Sequence, residues 1–145
     1  MGLLKIATVP AVTVEPESSV LDAVRQMQEH NVGAAAVVED GRLIGIFTER
    51  DVMNRVALHQ KDVASTRVRA VMTRDPVTAK RDMPYGDALQ MMVGQHFRHI
   101  PVLDDEGRVV GILSARDLYE HAVERLSHEL NAVVSYFTAD GPGGD

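Results

Sequence analysis

The sequence predicts an α/β (α+β) fold of two β-α-β-β-α repeats related by a pseudo-twofold axis, with an extended C-terminal helix. Three observations predict it. The stretch Pro10–Val56 is echoed in order by Asp75–Ala122, and an internal repeat of this length marks a doubled unit. The phrase Gly-apolar-apolar-Thr/Ser-x-Arg-Asp occurs at Gly45–Asp51 and again at Gly111–Asp117, where a strand runs into a helix. Leu118, Ala122, Leu126, Leu130, Val133 and Phe137 keep helical spacing well past the second repeat.

In the first repeat, Val12–Val14 reads as a short extended piece stopped by Glu15-Pro16. Ser19 is placed to cap a helix, with Asp22 three residues on, and Val20, Ala23, Val24 and Met27 share one helical face. Asn31 is expected to end that helix in a left-handed conformation. Ala34–Val38 and Leu43–Phe47 read as strands joined by Asp40-Gly41, a strong hairpin signal. A second helix is expected after Thr48. The second repeat follows suit: an extended Pro76–Ala79, a helix from about Pro84, strands Ile100–Leu103 and Val109–Leu113, and a helix from Ser114. The expected layout is repeat 1 at 8–58, a linker at 59–73, repeat 2 at 74–123, a helical extension at 124–137 and a loose tail at 138–145. The linker is polar and carries Lys61, Arg67 and Arg69.

One such unit cannot cover both faces of its small sheet. Two packed through their sheets can, and this leaves a cleft on each side of the axis.

The 145 residues are 45% hydrophobic, 25% charged and only 4% aromatic, so Val, Ile, Leu, Ala and Met must build the core. A formal net charge of -6 disfavours broad binding to nucleic acid or anionic membrane. The absence of cysteine removes disulfides, thiolate catalysis and cysteine zinc sites. No apolar run approaches a membrane span, and a cytoplasmic location is expected. The six histidines are scattered and no P-loop is present, so neither a metal site nor an enzyme is expected.

The doubled phrase is the place for chemistry. Glycine in a strand permits close backbone approach. The hydroxyl of Thr48 or Ser114 and the free N–H groups of the first helical turn can hold phosphate, and Arg50 or Arg116 adds charge. Asp51 or Asp117 can accept two hydrogen bonds from a ribose diol. The same spacing also suits a helix cap with a first-turn acid, and one residue can do both. A second cluster, Phe97-Arg98-His99-Ile100-Pro101-Val102, brings two cationic side chains toward the cleft. Its counterpart, Val32-Gly33-Ala34-Ala35-Ala36-Val37, is uncharged, so the two pockets should differ.

Two β-α-β-β-α units, each closing on Gly-Ile-apolar-Thr/Ser-x-Arg-Asp, resemble tandem CBS (cystathionine β-synthase-type) repeats, or a Bateman module. The resemblance covers about residues 8–123 and is strongest over Phe97–Ile112. It implies a non-catalytic sensor that binds AMP, ADP or ATP, with NAD or S-adenosylmethionine as further members of the ligand class and AMP favoured. By that resemblance one site joins Pro10, Val12, Val32, Gly33 and Ala34 to Arg98, Ile112, Ser114, Arg116 and Asp117. The other joins Asp75, Val77, Phe97, His99, Ile100 and Pro101 to Ile46, Thr48, Arg50 and Asp51. Ala36 departs from the usual proline of the family. Asp75 puts an acid in the second site, which ranks the first site ahead as the nucleotide holder. The resemblance also implies a homodimer, a disc of four repeats, and a separate effector protein. The rival readings are a ligand-free dimerisation module and, less favoured, a nucleic-acid-associated regulator using the linker basics.

Overall fold

The computed structural model describes residues 2–139. Its first half begins with β1 (Thr13–Val14), α1 (Val20–Glu29), β2 (Ala34–Glu39) and β3 (Arg42–Thr48). The short α2 (Glu49–Asp51) then passes into a π-helical turn, Val52–Ala57. The second half contains β5 (Ala79–Lys80), α4 (Tyr85–Gln95), β6 (His99–Leu103), β7 (Val109–Ser114) and α5 (Ala115–Ala139). Between the halves lie α3 (Val68–Val71) and β4 (Thr73–Arg74).

Local chemistry accounts for most of the boundaries. Ser19 Oγ accepts the Asp22 N–H at 3.1 Å, capping α1. Asn31 (φ 54°) and its repeat counterpart His96 (φ 63°) both turn left-handed just past their helices. Asp40 (φ 52°) and Gly41 (φ 79°) form the two-residue turn between β2 and β3, the conformation that matches strand twist in tight hairpins. The expected strand at Pro76–Ala79 is shorter and later, at Ala79–Lys80. Asp75 adopts φ 46° just before it, which breaks the extended path. Helix α5 continues through Ala139, two residues beyond the expected Phe137, while 140–145 of the expected tail lie outside the described residues.

The sheets are ordered β1-β2-β3-β4 and β5-β6-β7. In each, the first pair is parallel and the central hairpin antiparallel, with matching irregularities at Val37/Val38 and Val102/Leu103. Side-chain alternation divides the core. Ala35, Val37 and Phe47 face the helices of the first half, and Ile100, Val102 and Leu113 face those of the second. The opposite faces carry Ala34, Ala36, Ile46 and Ile112, which pack together between the sheets. Small alanines on β2 allow this close approach. Because β2 is covered on both sides, it reads as a continuous apolar run.

The segments leading into the halves are exchanged. Leu3, fully buried, belongs to the core of the second half, and Thr8 exchanges both backbone hydrogen bonds with Ile112 at the β7 edge (2.9 and 3.1 Å). Reciprocally, the predicted polar linker contains α3, whose Val68 and Val71 are buried in the first core, and β4 pairs with β3. Thr8 and Thr73 thus occupy equivalent edges. No helix among the described residues is long and apolar enough to cross a membrane.

Candidate functional site

The two strand-to-helix junctions share one local design and differ in what surrounds them. At the α5 start, Asp117 N–H donates to Ser114 Oγ (3.0 Å) and Ser114 N–H donates to Asp117 Oδ2 (2.9 Å). This reciprocal cap satisfies two groups that the helix end would otherwise orphan. Asp117 Oδ1 makes no hydrogen bond among the described residues. At the α2 start the same pair forms between Thr48 and Asp51 (3.2 and 3.0 Å). Here Asp51 Oδ2 also accepts the Thr48 hydroxyl at 3.2 Å, Oδ1 accepts the Thr73 hydroxyl at 3.2 Å, and Arg55 Nε lies 3.5 Å from Oδ1. Asp51 is only 6% exposed. Its carboxylate is engaged by the fold through both oxygens, whereas that of Asp117 is engaged through Oδ2 alone among the described residues.

A cleft of about 600 Å³ opens between the halves at Asp117. Every residue of the first expected set except Pro10 lines it: Val12, Val32, Gly33 and Ala34 from one half, Arg98, Ile112, Ser114, Arg116 and Asp117 from the other. Pro10 is exposed.

The residues of the second set occupy several different surroundings. His99 lines the first cleft instead. Ile100 and Pro101 are fully buried, Phe97 packs against the second core, and Ile46 fills the space between the sheets. Val77 is 40% exposed. Asp75 borders a separate groove of about 400 Å³ beside the hairpin turns, with Arg42 and Arg108. Arg50 donates to the His96 carbonyl at 3.4 Å. At this junction Thr73, the counterpart of Thr8, carries its hydroxyl through β4 to Asp51, whereas no such bond joins Thr8 to Asp117 among the described residues.

The structure adds cleft residues that the sequence reading passed over. Thr8 arrives with the exchanged N-terminal segment, and Gln28 and Asn31 come from the end of α1. Glu49 and Glu120 bring two further carboxylates. Glu49 is the unspecified residue of the Thr48-x-Arg50-Asp51 phrase, so its identity carried no signal there. Its carboxylate sits over Gly33: a Cβ at Gly33 would come within 2.2 Å of Glu49 Oε1 and 3.3 Å of His99 Nε2. Arg116 is held by Glu120 at 2.9 Å, while Arg98 is exposed at the cleft. Among the described residues no three His, Asp or Glu side chains gather as a metal would require.

The roles of Gly45 and Gly111 also change. The expectation was ligand approach, but a Cβ on Gly45 would meet the Thr73 carbonyl oxygen at 2.8 Å, and one on Gly111 the Thr8 carbonyl oxygen at 3.1 Å. These glycines admit the exchanged segments of the chain itself.

Burial holds the His99 imidazole below its ordinary range. The carboxylates of Glu49 and Asp117 oppose this, and Arg98 and Arg50 reinforce it. His99 is therefore neutral in the folded chain at pH 7. The unfolded chain takes up the proton first as pH falls, near the ordinary histidine value of about 6.5. The folded state thus loses stability from there down to the lowered folded value. Urea midpoints measured from pH 7.5 to 5 should fall more steeply for the wild type than for His99→Gln. Parallel curves would show that His99 is not shielded.

Comparison with known proteins places this geometry. The profile of the CBS domain matches residues 5–58 and again 68–124. The CBS domain-containing protein YhcV of Bacillus subtilis is 36% identical over 122 residues, which cover 84% of each protein. The crystal structure of the CBS domain protein NE2398 superposes with a TM-score of 0.77 at 34% identity, covering 85% of this chain and 98% of that one. The CBS domain pair of MJ0100, crystallised with 5′-methylthioadenosine and S-adenosyl-L-methionine, superposes with a TM-score of 0.77 at 27% identity, covering 86% and 98%. CBSX2, crystallised with AMP, shares the fold at 24% identity, with a TM-score of 0.70 over 85% and 96% of the two chains.

Proposed function

This chain belongs to the CBS domain family, and from that premise we propose that it is a non-catalytic regulatory module binding an adenosine-containing ligand between its two repeats. The observation that carries the reading is the Asp117 carboxylate, half engaged in a helix cap and half open to the cleft. A carboxylate accepts both hydroxyls of a ribose diol, and charge-assisted hydrogen bonds of this kind are the strong ones. Val12, Val32, Ala34 and Ile112 offer an apolar slot for adenine. Ser114, Arg98, Arg116 and the first turn of α5 offer donors to a single phosphate. A volume of about 600 Å³ suits one small molecule. The MJ0100 pair with its two adenosine compounds supports the ligand class.

Within that class AMP is favoured over ATP. The cationic Arg98 and Arg116 share the cleft with the carboxylates of Glu49, Asp117 and Glu120, so each further phosphate meets repulsion with little left to neutralise it. The module works as a homodimer, and its output is a ligand-dependent contact with a separate effector protein.

Thermal unfolding with AMP, ATP, NAD, S-adenosylmethionine and 5′-methylthioadenosine tests the reading. A ligand present at 100 times its dissociation constant adds about 2.7 kcal/mol of stability. AMP should raise the midpoint more than ATP at equal concentration. No shift with any of the five at millimolar concentration would overturn the ligand reading in favour of a purely structural role.

A further inference from the structure

Arg125 lies over the Tyr85 ring, and from Leu126 to Thr138 every residue of α5 is exposed, yet this stretch is not polar. Tyr119, Val123, Leu126, Leu130, Val133 and Phe137 are 52% to 65% exposed. They follow one another at intervals of 4, 3, 4, 3 and 4 residues. That is the heptad seam of a coiled coil, which faces a second helix along its whole length. A continuous stripe of large apolar side chains is rarely left in water by a monomer. A lone projecting helix also lacks the tertiary packing that usually stabilises one. The family match ends at residue 124, so most of the seam lies outside the repeats.

The order of residues along the seam identifies the occupant. Tyr, Val, Leu, Leu, Val, Phe reads the same from either end by side-chain class, and so does the spacing. When two identical helices run antiparallel about a twofold axis, the seam of each must match its own reversal. Here Tyr119 meets the partner's Phe137, Val123 meets the partner's Val133, and Leu126 meets the partner's Leu130. Aromatic then stacks on aromatic and branched side chain on branched side chain in every layer. An unrelated partner helix would impose no such palindrome. At the flanking positions Ser127 faces its own copy and Glu120 faces the partner's Val134. Glu129 faces its own copy across the axis, and Arg125 stands 3.9 Å from it on the same helix to offset the like charges.

We propose that α5 is an antiparallel, self-pairing arm that joins two copies of this chain through Tyr119–Phe137. The proposal rests on the homodimer reading above and names its surface; it does not depend on the ligand. It also differs from a disc of four repeats, which would use the repeats themselves as the interface.

Sedimentation equilibrium of the full chain without ligand tests it. The wild type should be a dimer at micromolar concentration, Leu126→Glu/Leu130→Glu a monomer, and Ser135→Glu, on the outer face of the same helix, still a dimer. The absence of cysteine makes the orientation readable. Val123→Cys/Val133→Cys should oxidise to a covalent dimer, whereas Val133→Cys alone should not, because the two copies of residue 133 would lie about 15 Å apart along the axis. A monomeric wild type, or a Leu126→Glu/Leu130→Glu variant that remains dimeric, would overturn the arm. Efficient crosslinking of Val133→Cys alone would overturn the antiparallel arrangement. Should the Glu double variant unfold, Leu130→Ser and the cysteine pair decide the question.

Discussion

Asp117→Ala should weaken binding of AMP about a hundredfold or more while the chain remains folded. Two charge-assisted hydrogen bonds to the ribose would be lost, each of about 1.5–3 kcal/mol, and about 1.4 kcal/mol corresponds to a factor of ten. The fold loses only the reciprocal cap at Ser114, about 1 kcal/mol. Asp51→Ala is the contrasting control. Its carboxylate receives Thr48 and Thr73 and lies beside Arg55, with little exposure, so its removal should lower stability and leave affinity nearly unchanged. Calorimetric titration with AMP, together with urea unfolding of both variants, separates the two. An unchanged dissociation constant in Asp117→Ala would remove that residue from the site.

Gly45→Val should destabilise the chain by about 3 kcal/mol, a large share of the 5–15 kcal/mol typical of a folded domain. The new side chain would press on the Thr73 carbonyl oxygen (2.8 Å) and on Met72 Sδ (2.7 Å). The sulfur can move. The backbone oxygen cannot move without opening the β3–β4 pairing at Gly45↔Arg74, and with it the Thr73 hydrogen bond to Asp51. Gly111→Val meets Thr8 and Val9 less closely, at 3.1 Å, and should cost less. Urea midpoints that leave Gly45→Val equal to wild type would show that β4 is not held in place.

Both predictions turn on the difference between what repeats and what does not. The features legible in the sequence were local: caps at Thr48 and Ser114, a left-handed helix end at Asn31 and a glycine turn at Gly41, the last two matched in the structure by His96 and Gly107. Each depends on a few neighbouring residues whose types state the geometry. The expectation of a cleft between the repeats followed from the same doubling, and the residues assigned to it followed from the family resemblance. The exchange of Leu3 and Val68 into opposite halves was not legible as such. A short apolar spacing such as Val68, Val71, Met72 says that a face is buried, not against what. The second set of site residues is divided among different surroundings for a related reason. On a strand, neighbouring side chains point to opposite faces, so Ile100 went to the core while His99 turned into the cleft. Glu49 carried no signal, being a variable position whose effect appears only when the two repeats meet.

Residue-resolved amide NMR of the chain titrated with AMP is the most direct measurement. Shifts are expected to cluster at Val32–Ala34, Arg98–His99 and Ser114–Asp117, with Thr48 and Asp51 nearly silent. Perturbations centred on Thr48–Asp51, or spread along α5 without touching Asp117, would contradict a nucleotide seated between the repeats at that carboxylate.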